Sequence, residues 1–232
     1  MAEVQRLVRE NGGSMDRRAF IRRSAGAVAA TMAGAALAET PATGGARKFD
    51  AAARNALGKT GLKPSLLGMG TGTKAGGGSS AQNREGRKAF VDTLVHAYEQ
   101  GLRYYDMAGS YGAHDYVKEA MAQASMPREE MVLLSKTRAT KPEQVKADVE
   151  LFRKELDTDY VDIVLLHCMK HPLWAAQLKP CMDVLAEAKA KGHIRAHGVS
   201  CHNLGALKAA AELEWVDVVL ARINPFGIKM DG

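Results

Sequence analysis

From residue 65 onward the chain alternates two apolar patterns. Short runs rich in aliphatic and β-branched residues lie at Ser65–Gly70, Leu102–Asp106, Met131–Lys136, Val161–His167, His193–Ser200 and Val216–Asn224. They are near-continuous rather than alternating, as expected of strands buried on both faces. Between them, residues 86–100, 112–124, 142–156, 180–191 and 203–213 carry apolar side chains at three- and four-residue spacing, the helical period. Gly101 and Gly192 each fall between a helix and the next strand, where a helix C-cap belongs. Six strands and five helices in strict alternation predict an α/β fold with a parallel sheet and right-handed crossovers. Periodicity alone leaves both a closed barrel and an open doubly wound sheet.

The segments before this alternation have a different character. Residues 57–65 place turn residues between short apolar pieces and predict a small hairpin, and residues 39–56, rich in Ala, Gly, Thr and Pro, read as a linker. Residues 1–38 have a charged stretch, Asp16-Arg17-Arg18-Ala19-Phe20-Ile21-Arg22-Arg23, then a weakly apolar Ala- and Gly-rich run ending in Ala36-Leu37-Ala38. That is the anatomy of an export signal with a small-residue cleavage site. The run is too short to span about 30 Å of hydrocarbon as a permanent helix, so no stable membrane insertion is expected. The paired arginines followed by Phe20 and Ile21 resemble the twin-arginine (Tat) signal, with Asp16 where Ser or Thr is more usual. The resemblance implies export of a folded protein by the Tat machinery to the periplasm. Arginine pairs on an amphipathic N-terminal helix of a cytoplasmic protein are the alternative. Met15, directly before the motif, is a plausible true start.

Composition changes the picture little. Hydrophobic residues make up 46% and charged residues 25% of 232, ordinary for one soluble catalytic domain plus a leader. The net charge is +6, but the six arginines of residues 1–38 against Glu3, Glu10 and Asp16 supply half of it. No basic stripe remains to suggest a nucleic-acid partner. Cys168, Cys181 and Cys201 are too far apart in sequence for a zinc knuckle or redox dithiol and read as free thiols. No His/Cys/Asp grouping in the sequence offers a metal a home.

The chemistry gathers at strand ends. Asp106 closes its strand and Tyr111 follows five residues later; Lys136 and His167 end the next two strands. In a (β/α) barrel such ends converge on one face, where catalytic groups collect. Singly, each has a structural explanation; together they read as a site. These stretches resemble the aldo-keto reductase family. Leu57-Gly58-Lys59-Thr60-Gly61-Leu62 through Gly68-Met69-Gly70-Thr71-Gly72 is similar to the family's opening, and Asp106-Met107-Ala108-Gly109-Ser110-Tyr111-Gly112 to its Asp-Thr-Ala-x-x-Tyr-Gly. Leu133-Leu134-Ser135-Lys136, Val164-Leu165-Leu166-His167 and His197-Gly198-Val199-Ser200 resemble its Lys, His and Gly-Val-Ser strands.

The resemblance covers about residues 56–232. It implies a (β/α)8 TIM-barrel fold, residues 57–232 supplying about six of its eight βα units. The implied activity is hydride transfer between NADP(H) and a small carbonyl or alcohol substrate. Tyr111 would be the proton donor, with its pKa brought down by Lys136. Asp106 would hold Lys136 charged, and His167 would bond the carbonyl oxygen. Gly70, Thr71 and Gly72 would lie beside the nicotinamide, with Asp106 and Ser200 contacting it. The glycines there are spaced Gly-x-Gly-x-Gly with no helix following at once, so they do not make a Rossmann fingerprint. The sequence departs from the family where Cys201 replaces the Asn usual after that Ser. Asn203 or His202 could take its place, and Leu220 stands where Gln is frequent. Asp231-Gly232 follows shortly after the sixth strand, so the chain reads as a partial product. Two further readings are a nucleotide-binding module or inactive product of the same fold, and an unrelated aldolase using Lys136 as a Schiff-base nucleophile.

Overall fold

The computed structural model describes residues 49–224 and 226; the leader and residues 39–48 of the linker lie outside the described residues. The strands are β1 (Met69–Gly70), β2 (Tyr104–Asp106), β3 (Val132–Thr137), β4 (Val161–Met169), β5 (Ile194–Cys201) and β6 (Val218–Leu220). The helices are α1 (Ala81–Arg84), α2 (Arg87–Glu99), α3 (His114–Gln123), α4 (Pro142–Leu156), α5 (Trp174–Gln177), α6 (Lys179–Ala190) and α7 (Leu204–Ala211). All five strand pairings are parallel, and each strand pairs with its sequence neighbours, in the order β1-β2-β3-β4-β5-β6. A doubly wound sheet reverses its strand order at a switch point. This sheet never does, so its winding is that of a (β/α) barrel, and the open alternative falls away.

Local signals account for the helices. α4 begins with Pro142 at its first turn beside Glu143, ends with Arg153 and Lys154, and stops where Asp157 turns left-handed. Gly101 and Gly192 take positive φ just past α2 and α6, as expected of a C-capping glycine. Asn203 caps α7, its side-chain oxygen accepting from the Gly205 and Ala206 N–H groups.

Strand parity sorts the core into two. Leu133, Val164, Leu166 and Val199 face the helices, packing with Val145, Val149, Phe152 and Leu185. The alternate residues Val132, Leu134, Ile163, Leu165, Ala196 and Val218 pack on the other face around Leu62. Leu62 comes from the predicted hairpin, which closes through Leu57 and Leu62 but pairs only as an isolated Arg54–Ser65 bridge. Successive strand residues point to opposite sides. Two residues beyond Leu134 and Leu165 on this inner face are therefore Lys136 and His167, with Asp106 two beyond Tyr104 and Ser200 four beyond Ala196.

Two boundaries differ from expectation. The first strand is only Met69–Gly70; Leu66 and Leu67 are half-exposed, because their N–H groups bond the Ala53 and Ala51 carbonyls instead of a strand. That same pairing docks residues 51–54, expected to be linker, onto the domain, and Arg54 adds bonds to the Lys63 and Glu130 carbonyls. Among the described residues no helix is long and apolar enough to cross a membrane.

Candidate active site

Lys136 is the structural centre of the site. Only 2% of its side chain is exposed, and its ammonium donates to the Asp106 carboxylate and to the Met107 carbonyl (2.8 Å). Burial pulls the ammonium below its ordinary pKa, while the neighbouring Asp106 opposes that shift. The ammonium is thus held by two acceptors in a place where an unpaired charge would be costly.

Tyr111 lies in the 3-10 turn Gly109–Tyr111, which follows β2. Its ring sits 4.9 Å from the Lys136 nitrogen, measured to the centroid, and meets the His167 ring edge-on at 5.8 Å and 78°. The four groups from three strand ends and one loop do converge. Their electrostatics differ from expectation. The Tyr111 phenol is pushed up to about 12, first by burial, then by the charge of Asp106 and by Cys168, against a lowering from Arg138. The expected lowering by Lys136 is not found: the ammonium lies over the ring face and its charge is matched by Asp106. Tyr111 is therefore a fully protonated phenol at neutral pH. His167 is pushed down to about 3 by burial and by the cations Lys136 and Arg138, with His202 adding to the effect. It is a neutral imidazole, and its buried Nδ1 has no hydrogen-bond partner among the described residues. Proton-bearing phenol and neutral imidazole side by side can donate to, and hydrogen-bond, one developing oxyanion.

A sequence profile of the aldo/keto reductase family matches residues 66–226, a span that contains all four groups. The chain belongs to this family. It is 25% identical over 189 residues to the NADH-specific methylglyoxal reductase of Escherichia coli K12, covering 72% of this chain and 58% of that protein. It is 27% identical over 148 residues to the yeast (Saccharomyces cerevisiae) glycerol 2-dehydrogenase (NADP(+)), covering 62% of this chain and 42% of the relative. The structure superimposes on a thermostable aldo-keto reductase solved with the inhibitor epalrestat, with a TM-score of 0.56 and 28% identity. That match covers 68% of this chain and 57% of the other. The chain thus spans about half the length of these relatives.

The remaining expected aldo-keto reductase positions fall as follows. Thr71 is buried and anchors β1 to β2, its N–H and hydroxyl both donating to the Asp106 carbonyl (3.0 and 2.8 Å). Gly70 faces open space: a Cβ there would meet nothing within 4 Å. At Gly72 a Cβ would come within 2.3 Å of the Tyr111 ring. Gly72→Ala should therefore keep the fold but displace the phenol, with kcat falling on the order of 10²-fold and little change in Tm. Unchanged kcat would mean the ring is not held there. The Ser200 hydroxyl accepts from the Cys168 N–H at 2.8 Å, which leaves its own hydrogen to donate. The Asn203 side-chain oxygen caps α7, so the amide nitrogen is the part of that side chain that could donate to a ligand. The open space at Gly70 and the donor at Ser200 fit a nicotinamide and its carboxamide.

Three neighbours were not foreseen as a group. Cys168 and His202 stand beside His167, with Arg138 donating to the Cys168 sulfur at 3.7 Å. The candidate ligand atoms of His167, Cys168 and His202 all lie within 4.8 Å of one another. This corrects the expectation that no such cluster exists. The sequence hid it, because adjacent residues of a regular strand point to opposite faces.

Proposed function

We propose that this chain is the catalytic part of an NADP(H)-dependent reductase of small aldehydes and ketones. The convergence of a protonated Tyr111, the Lys136–Asp106 pair and a neutral His167 on the inner face at the strand ends carries the reading. The nicotinamide, when bound, supplies hydride to the carbonyl carbon. As charge grows on the carbonyl oxygen, Tyr111 gives it a proton and the His167 N–H orients it. An alkoxide is a stronger base than a phenolate, so the transfer runs downhill even from a phenol near 12. Lys136 then offsets the phenolate charge left behind, and Asp106 keeps Lys136 in place. With its nitrogen occupied by a carboxylate and a carbonyl, Lys136 is better suited to this electrostatic part than to nucleophilic attack.

Gly70 leaves room for the nicotinamide ring and Ser200 donates to its carboxamide. The preference for the phosphorylated coenzyme rests on the family resemblance and on the yeast relative's name, while the bacterial relative is named for NADH. Methylglyoxal with NADPH or NADH in parallel tests both points. Turnover with neither coenzyme, under conditions where the chain is folded, would overturn the reading.

The leader supports placing the protein in the periplasm, exported by the Tat machinery. Arg17→Lys combined with Arg18→Lys should retain it in the cytoplasm on fractionation. Undiminished export of that variant would overturn the assignment.

A further inference from the structure

We propose that His167, Cys168 and His202 form a binding site for a borderline-soft divalent cation, of which Zn²⁺ is the natural occupant, and that metal binding shuts the reductase off. The argument begins with a break in β4. Its pairing with β5 shifts register between Leu166 and Met169, and Cys168 adopts φ of 67°. A non-glycine residue in that region is strained, and such strain persists only where its surroundings enforce it. Here the Cys168 N–H is held by the Ser200 hydroxyl, and the His202 N–H by the Met169 carbonyl at 2.8 Å. The bulge lets two consecutive residues, His167 and Cys168, bring their donor atoms to one place, which a regular strand forbids.

The donor chemistry is two imidazoles and a thiol. That set selects Zn²⁺ and its neighbours in the transition series over Mg²⁺ or Ca²⁺, which take oxygen ligands. Zinc–sulfur and zinc–nitrogen bonds of ordinary length at a tetrahedral angle separate the two ligand atoms by about 3.6 Å. Cys168 Sγ and His202 Nε2 are 3.6 Å apart. His167 completes three protein ligands and leaves the fourth position open, the pattern of a zinc site accessible to exchange. Cys168 and His202 are partly exposed, so a cation can reach them.

The local charges are compatible with a cation. Lys136 is neutralised by Asp106, and Arg138, which is exposed, can turn into solvent when the sulfur takes the metal. Binding converts the thiol to a thiolate and releases one proton to solvent; both imidazoles bind neutral. No redox step is involved. The consequence for turnover rests on the reductase reading, because a metal-bound His167 is withdrawn from the substrate oxygen; the binding itself does not.

The test titrates the full chain with Co²⁺, whose thiolate complexes absorb in the near ultraviolet, and then displaces it with Zn²⁺. A charge-transfer band is expected in the wild type and should vanish in Cys168→Ser. His202→Gln and His167→Gln should each weaken binding by at least about tenfold. Circular dichroism on each variant confirms the fold, and the wild-type spectrum tests the site without any variant. Absence of the band in the wild type overturns the site, as does a band that survives Cys168→Ser or is indifferent to both histidine changes. In parallel, Zn²⁺ should inhibit carbonyl reduction, and a chelator should restore it. Binding without inhibition in an active protein overturns the shut-off. If no variant or wild type reduces a carbonyl, the reductase reading fails while the spectrum still decides the metal site.

Discussion

Tyr111→Phe should lower carbonyl reduction by about 10²–10⁴-fold while coenzyme affinity and Tm stay nearly unchanged. Phenylalanine keeps the ring contacts with Lys136 and His167 and loses only the hydroxyl, which makes no hydrogen bond among the described residues. The loss therefore reports proton donation rather than packing. Steady-state kinetics with coenzyme fluorescence separates the two, and retention of a tenth or more of wild-type kcat would remove Tyr111 from the reaction. The wild-type pH profile carries a linked expectation. A phenol raised to about 12 keeps its proton until the pH rises through that value, and an imidazole lowered to about 3 stays neutral until the pH falls through it. Neither group should produce a break between about pH 5 and 9. An alkaline limb reports Lys136, whose burial draws its ammonium below the ordinary lysine range.

The second large effect is expected at Gly112, the residue after Tyr111. It sits at φ of 62°, and a Cβ there would lie 2.0 Å from the Gly78 carbonyl oxygen. The Gly78 N–H bonds the Ser110 carbonyl, and Asn83 donates to the Gly112 carbonyl, so the loop before α1 and the Tyr111 turn are locked together. Gly112→Ala meets backbone, which no rotamer change can relieve. It should cost about 1 kcal/mol for the left-handed conformation and about 1–3 kcal/mol more for overpacking. Gly77→Ala is the control: φ is 61°, but its Cβ meets nothing within 4 Å. Thermal unfolding should show a fall of roughly 10 °C for Gly112→Ala and roughly 3 °C for Gly77→Ala. Gly112→Ala should also lose activity because the phenol moves with its turn. Equal melting shifts would show that the loop yields and the contact is not structural.

The alternation of apolar runs and helical periods was enough to place the major helices within a few residues, and α4 to the residue, because buried parallel strands and amphipathic helices have different periods. Leu66 and Leu67 misled for an understandable reason: an apolar pair looks buried, but its backbone partners, Ala51 and Ala53, lie in a segment whose composition says linker. His167 and Lys136 were legible because each ends an apolar run. Cys168 was visible only as a free thiol just past the run that His167 ends, since nothing in the composition of β4 marks a bulge.

Sequence by itself determined the order of strands and helices, the chemical groups at the strand ends and, through their neighbouring motifs, the family. Those are properties of local periodicity and residue type, which the chain carries wherever it goes. Tertiary structure alone decided that the sheet winds in one direction, that Lys136 is buried against Asp106, that burial first and Asp106 second raise the Tyr111 phenol, and that His167, Cys168 and His202 share a corner. Burial, register and charge pairing depend on residues 20 or more positions apart, as in Gly198 beside Val218 and Lys136 beside Asp106, and only folding brings those together.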